Sequence, residues 1–224
     1  VLTRLYSPHD FGLLAVYTSM LAITVLLASL RYDIAIPLPE DDAEAANIVA
    51  LSLILVGIAS FLVAIMVLVF RDPIAKVLDL PELVSHLWLL PLGTLLGGTY
   101  NVFSRWSVRT KHFGLIASTN IRKTFALLVI QLTAFKFGGI ALLLGQVTSH
   151  GVGVAKLARP GFSEVSLTGI RDAALRYKRF PIYSTPAGLS RVVGVELPSF
   201  VLTAAFSPAA AGLYALTKRV CGVP

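Results

Sequence analysis

Cysteine is nearly absent: Cys221 is the one thiol in 224 residues, so no disulfide can form within the chain. Late in the chain, on an expected helix, it reads as a packing residue. Charge is scarce as well. Charged residues make up 14%, against about 25% in soluble domains. Acidic residues cluster once, at Glu40-Asp41-Asp42. An enzyme acting on prenyl diphosphates needs two spaced acidic clusters to hold metal and diphosphate, and a second is missing. A glycan polymerase would need a large polar loop, and the longest non-spanning stretch on its side is near Arg71–Ser85. No short basic leader with a cleavage site opens the chain, so no signal peptide is expected.

Apolar residues are plentiful. They reach 56%, with a mean hydropathy of +0.79. Phe11–Leu30, Ile48–Phe70, Leu87–Ser104, Phe137–Ala155 and Leu197–Thr217 are all free of Asp, Glu, Lys and Arg. Runs of about 18 such residues are membrane-span candidates. A soluble bundle would need a polar face on each helix, which these runs lack. The expected fold is all-α, a polytopic transmembrane bundle. Six spans are expected at 11–32, 45–70, 86–106, 116–136, 139–158 and 181–206, with a further helix opening near 209. Arg122, Lys123 and Lys136 are expected at the ends of the fourth span, snorkelling to the interface.

The net charge of +7 is first a topology signal in such a chain, not a mark of nucleic-acid binding. Loops on one side hold twelve cations: Arg31, Arg105, Arg109, Lys111, Arg122, Lys123, Lys156, Arg159, Arg171, Arg176, Lys178 and Arg179. The other side holds four: Arg4, Arg71, Lys76 and Lys136. The positive-inside rule puts the first set in the cytoplasm.

A phrase near the start returns 200 positions later. Tyr6-Ser7-Pro8-x-x-x-Gly12-Leu13-x-Ala15-Val16 recurs as Phe206-Ser207-Pro208-x-x-x-Gly212-Leu213-x-Ala215-Leu216. Six spans lie between the copies, so both face the outside, as in a parallel repeat of six-helix units. On that reading the first helix of the first unit precedes Val1, and the second unit continues past Pro224. Residues 1–158 are then an N-terminal lobe with helices two to six. Residues 159–180 are a basic linker, and 181–224 hold helix seven and the start of helix eight.

Local signals fill in the loops. Asp72-Pro73 reads as an N-cap and N1 proline opening a short helix through Leu80. The acids at 40–42 complement the dipole of the second span. Within Glu164–Phe180, Leu167, Ile170, Ala174 and Tyr177 recur on one face among basic residues. Such a segment is expected along the cytoplasmic membrane surface, as a linker or as an attractor of anionic headgroups. Gly57-x-x-Ser60, Gly93-x-x-x-Gly97 and Gly151-x-Gly153 offer close helix contact.

Leu5-Tyr6-Ser7-Pro8-His9-Asp10-Phe11-Gly12, Leu30-Arg31-Tyr32-Asp33-Ile34-Ala35 and Asp41-Asp42-x-x-Ala45-Ala46-Asn47 resemble polysaccharide biosynthesis flippases of the multidrug/oligosaccharidyl-lipid/polysaccharide superfamily. So do Leu90-Pro91-Leu92-Gly93 with Tyr100, Trp106 and Lys111-x-Phe113, then Tyr177-x-x-Phe180-Pro181 and Pro208-x-x-x-Gly212-Leu213-Tyr214. Each motif is short, and their order and spacing cover essentially the whole chain. The resemblance implies two six-helix lobes, a central cavity and alternating access. The implied cargo is an undecaprenyl-diphosphate-linked oligosaccharide, moved across a bacterial or archaeal cytoplasmic membrane. The implied partners are that lipid-linked cargo, membrane lipids and polysaccharide-assembly proteins. The implied role is that of a transporter, not an enzyme. No cofactor or metal is implied; protons, sodium and the membrane potential all stay open as the driving force, coupling to a proton or sodium gradient among them. The same superfamily leaves a multidrug or small-molecule exporter as the alternative. That reading asks for an acidic, aromatic cavity. A scaffold for glycan assembly would share the motifs without transporting.

A diphosphate-sugar head cannot cross a dry bilayer, so a flippase must offer cations and hydrogen-bonding groups in a wet cavity. Arg191 and Glu196 lie inside an apolar span, where ionisable residues usually face a cavity. Five residues apart, they do not stack on one face. Glu196 is the group that could titrate. Pro198 leaves the carbonyl of Gly194 without its donor and is the hinge candidate. Arg31 and Asp33 stand at the cytoplasmic mouth or form an interfacial pair. Asn101, Arg105 and Arg109 share a helix face; the arginines are candidates for diphosphate capture or for topology anchoring. Gln131 and Gln146 are sugar contacts or interhelical hydrogen bonds, and His150 lacks a metal partner.

Overall fold

The computed structural model describes residues 5–70, 81–157 and 165–221. These residues are helical with no strand, as expected of an all-α bundle. The helices are α1 (Pro8–Ala28), α2 (Asp42–Val69), α3 (Pro81–Ser85), α4 (Leu89–Arg109), α5 (Phe113–Thr133), α6 (Gly139–Leu157), α7 (Leu167–Arg176), α8 (Thr185–Ala205) and α9 (Pro208–Cys221). A π-helical turn, Phe180–Ser184, runs directly into α8. The short helix expected after Asp72 lies outside the described residues, as does the first part of the linker.

Among the described residues, four segments are long and apolar enough to span a membrane: α1, α2, α5 and the continuous Phe180–Ala205. Six spans were expected. The apolar part of α6, Gly139–Ala155, is shorter. Helix α4 has 21 residues, about 32 Å of rise, but Thr94, Asn101, Ser104, Arg105, Ser107 and Arg109 make it less apolar. It packs against α1, α2, α5 and α6, so neighbouring helices rather than lipid cover much of its surface. Large apolar side chains on α2 and α5 stay exposed, including Phe61, Leu62, Leu68, Ile121 and Phe125. A surface of that kind needs a bilayer or a partner helix over it. The chain is a multi-pass membrane protein.

Helix ends follow local chemistry. Ser7 and Asp10 form a capping box on α1, with Pro8 at the first turn. Asp41 caps α2 by accepting from the amides of Ala43 and Glu44. Helix α1 stops at Ala28, short of residue 32, because Leu30 and Arg31 take positive φ of 46° and 63°. The charge-free run Leu197–Thr217 is two helices, broken at Ser207-Pro208. The hydroxyl of Ser207 accepts from the Ala210 amide, as that of Ser7 does from Asp10.

The bundle has two ends. Contacts place the starts of α1, α6 and α9 and the finish of α5 together at one, here the capped end. Arg31, Asp42, Arg109 and the start of α8 gather at the other, the basic end. The small-residue patterns differ in use. A side chain at Gly93 or Gly97 would overlap Tyr17, Leu21 or Val25 of α1, whereas Gly57 faces open space.

Candidate functional site

Helices α1, α5, α6, α8 and α9 line a half-open cavity of about 430 Å³. Its polar lining is Thr18, Gln131, Gln146, Glu196, Ser199 and Lys218, and apolar residues such as Phe11 and Leu14 complete the wall. Glu196 lies near the middle of α8, and Lys218 lies ten residues into α9. That is about 15 Å from the capped end, half the thickness of a hydrocarbon core of about 30 Å.

The carboxylate of Glu196 is answered by two helices. Ser19 Oγ of α1 donates to one oxygen at 2.7 Å, and Lys218 Nζ of α9 stands 3.3 Å from the other. Lys218 also donates to the carbonyl of Val195 at 3.5 Å. This is next to the Gly194 carbonyl that Pro198 leaves without its donor. Helix α8 nevertheless continues through Pro198 to Ala205. Gln131 is 1% exposed, and its side-chain oxygen has no hydrogen-bond partner among the described residues. Its backbone carbonyl accepts from Tyr6 at 2.5 Å. A buried amide oxygen without a donor is costly unless water or a ligand supplies one.

The other named residues lie elsewhere. Arg191 is exposed, has no ion pair among the described residues, and lies off the buried stripe of Thr185, Gly188, Ser199 and Thr203 that carries Glu196. Asp33 is buried, accepts from Ser29 Oγ at 2.5 Å and has Arg105 Nε 3.8 Å away. Asn101 and Arg105 are both exposed on the face they share. Arg109 binds Asp42 through Nε at 3.1 Å and Nη2 at 2.8 Å, and donates to the carbonyls of Pro39 and Glu40. Its guanidinium is committed to holding the loop before α2. Arg31 lies across Gly188, with its Nε unpartnered. Thus Arg31 meets α8, Asp33 meets Arg105, and neither reaches the cavity.

The linker helix α7 is docked on the bundle. Ser166 caps it by accepting from the Gly169 amide and donates its own amide to Asn47 at 3.1 Å. Arg176 pairs with Glu44 at 2.9 Å, and Tyr32 donates to the Ala174 carbonyl at 3.0 Å. Burial, with the Glu44 carboxylate adding to it, pushes the Tyr177 phenol above its ordinary pKa. Of the face read from the sequence, Leu167 is exposed, while Ala173 is the buried residue.

Two groups were missed. Lys218 was one, although the 200-residue offset of the repeat pairs it with Thr18, and both line the cavity. The other surrounds Lys123. Helix α5 begins at Phe113, which puts Lys123 at its midpoint, not at an end where it could snorkel. Its ammonium sits 3.4 Å from the centre of the Tyr100 ring, a cation–π contact. Tyr100 donates to Asn120 at 2.7 Å, and the His150 ring lies beside it.

An apolar multi-helix bundle with a paired charge and two glutamines lining a mid-depth cavity is a polytopic membrane protein built around a polar site. A family model described as polysaccharide biosynthesis protein matches residues 1–224. The chain belongs to that family. No curated protein and no solved structure matches it.

Proposed function

We propose that this protein is a translocase that moves undecaprenyl-diphosphate-linked oligosaccharides from the inner to the outer leaflet of a bacterial or archaeal cytoplasmic membrane. The family supports a role in polysaccharide biosynthesis, and the mid-depth cavity supports passage of a polar head. The observation that carries the reading is the arrangement of Lys218, Glu196, Gln131 and Gln146 around that cavity. Lys218 would pair with the diphosphate, and the two amides would donate to and accept from sugar hydroxyls.

The Glu196–Lys218 pair suggests an exchange. In the resting protein the carboxylate neutralises the ammonium, which makes both tolerable at mid-depth. A diphosphate entering the cavity would take Lys218 and release Glu196. A proton or sodium ion could then neutralise the freed carboxylate, linking cargo entry to an ion gradient. Arg31 and Arg191, near the basic end, would meet the headgroup first. Pro198 would let α8 bend as the cargo moves.

The test is complementation. A host lacking its own flippase should regain surface polysaccharide with the full-length protein and not with Lys218→Ala. Accumulation of lipid-linked precursor on the inner leaflet, with the protein present in the membrane at normal amount, would refute the proposal. Drug resistance without polysaccharide export would favour a multidrug exporter.

A further inference from the structure

Helix α5 carries a cation that the cavity does not use. Lys123 lies at the midpoint of the helix, where a charge is costly and by default marks a functional site. The ion pairs among the described residues commit Arg105, Arg109, Arg176 and Lys218 to carboxylates, and Lys123 is in none of them. Its ammonium rests on the Tyr100 ring at 3.4 Å. A ring face stabilises a cation without neutralising it. No group of acidic, histidine or cysteine side chains among the described residues could hold a metal ion. The ligand such a spot suits is an anion.

The surroundings fix this lysine in place. Gly153 of α6 makes the room: a Cβ there would lie 2.6 Å from the Tyr100 ring and 3.0 Å from Lys123 Cδ. The His150 ring lies beside Tyr100, and its buried Nδ1 has no partner among the described residues. Tyr100 donates to Asn120 Oδ1 at 2.7 Å, which orients that amide and leaves its NH₂ group to donate elsewhere. Thr124 donates to the Asn120 backbone carbonyl at 3.0 Å and keeps its oxygen for accepting. Asn120, Lys123 and Thr124 are three and four positions apart, so they share one face of α5.

There is space beside them. Asn120 and Thr124 border an open groove of about 420 Å³ that Ile121, Phe125 and Leu128 complete. Phe125 is 68% exposed. A flat apolar ring, an amide donor, a hydroxyl acceptor and an ammonium without a carboxylate match the parts of one molecule. That molecule is a sugar ring with an apolar C–H face, hydroxyls and a carboxylate. Leu127 and Gln131, one and two turns further along α5, already line the cavity, which puts Gln131 about 12 Å along the helix from Lys123.

We infer that Lys123, Asn120, Thr124 and Phe125 form a subsite for an acidic sugar of the cargo, with the carboxylate on Lys123. The inference rests on the translocase reading and narrows its cargo to oligosaccharides that carry a uronic acid. Lys218 would serve the diphosphate, which every such cargo has. Lys123 would select among head groups, because a neutral sugar leaves its charge unmet.

The test is a binding comparison on the full-length protein in detergent. Two fluorescent undecaprenyl-diphosphate oligosaccharides serve as probes, identical except that a hexuronate in one replaces a hexose in the other. The wild type should bind the acidic probe several-fold tighter at low ionic strength, and added salt should shrink the difference. Lys123→Gln should erase the preference and keep the affinity for the neutral probe. Lys123→Arg, which retains the charge and the ring contact, should keep the preference. Lys218→Gln should weaken both probes alike. Equal wild-type affinity for the two probes would overturn the subsite without needing any variant to fold. A preference that survives in Lys123→Gln would overturn it too. So would an equal loss of both probes in that variant, which would place Lys123 on the diphosphate or in the packing. The translocase reading fails differently, through probes that bind but do not cross the membrane of proteoliposomes.

Discussion

The Glu196 carboxylate is met by Lys218 and Ser19 from two other helices. Lys218→Ala would leave Glu196 with one hydroxyl donor, in a setting where an unpaired charge is expensive. The variant should lose about 1 kcal/mol of stability in detergent, since the lysine is 40% exposed and the pair partly screened. Adding Glu196→Gln should restore the melting temperature without restoring transport. Recovery of both would mean the pair only holds helices together. Gln131 makes the converse case. Its buried oxygen has no partner among the described residues, so Gln131→Leu should leave stability unchanged or raise it by about 1 kcal/mol. Oligosaccharide transport should fall all the same. Arg109 is structural in this arrangement. Arg109→Ala should lower stability by about 1–3 kcal/mol, measured by thermal unfolding, through loss of charge-assisted bonds to the loop at 39–42.

At the scale of elements, the long apolar helices were legible because lipid-facing sequence is apolar on every side, as α1 and α2 are. Caps were legible too: Ser7-Pro8 and Asp41 do what their residue types favour. Helix α4 was legible as a helix, though not by hydropathy alone, because its neighbours cover polar positions. The place of Lys123 was not legible, since its depth depends on where α5 starts and the stretch before Phe113 carries no strong stop signal. Nor was the partner of Glu196, which comes from a helix 22 positions on. That Arg191 and Glu196 point to different sides of α8 follows from their spacing, but that Glu196 alone of the two lines the cavity does not. Helix α8 carries its own test. Pro198→Ala should restore the donor to Gly194 and raise stability modestly, while slowing transport if bending at this point is part of the cycle. Unchanged transport rates in proteoliposomes would remove Pro198 as a hinge.

For the molecule as a whole, the repeat is the organising feature. Two copies of one phrase cap two helices, bring them together through paired glycines, and place Thr18 and Lys218 at matching depths in one cavity. The sequence showed the repeat but not that its copies touch. Contact between residues 200 positions apart is a property of the fold.

The most direct measurement places the full-length protein in proteoliposomes with a fluorescent undecaprenyl-diphosphate oligosaccharide in the inner leaflet. A membrane-impermeant quencher outside reports arrival in the outer leaflet. The wild type is expected to make the inner pool quenchable, Lys218→Arg to retain part of that activity, and Lys218→Ala to match protein-free vesicles. Equal movement by wild type and Lys218→Ala, with both correctly folded, would contradict the claim that this cavity carries the diphosphate.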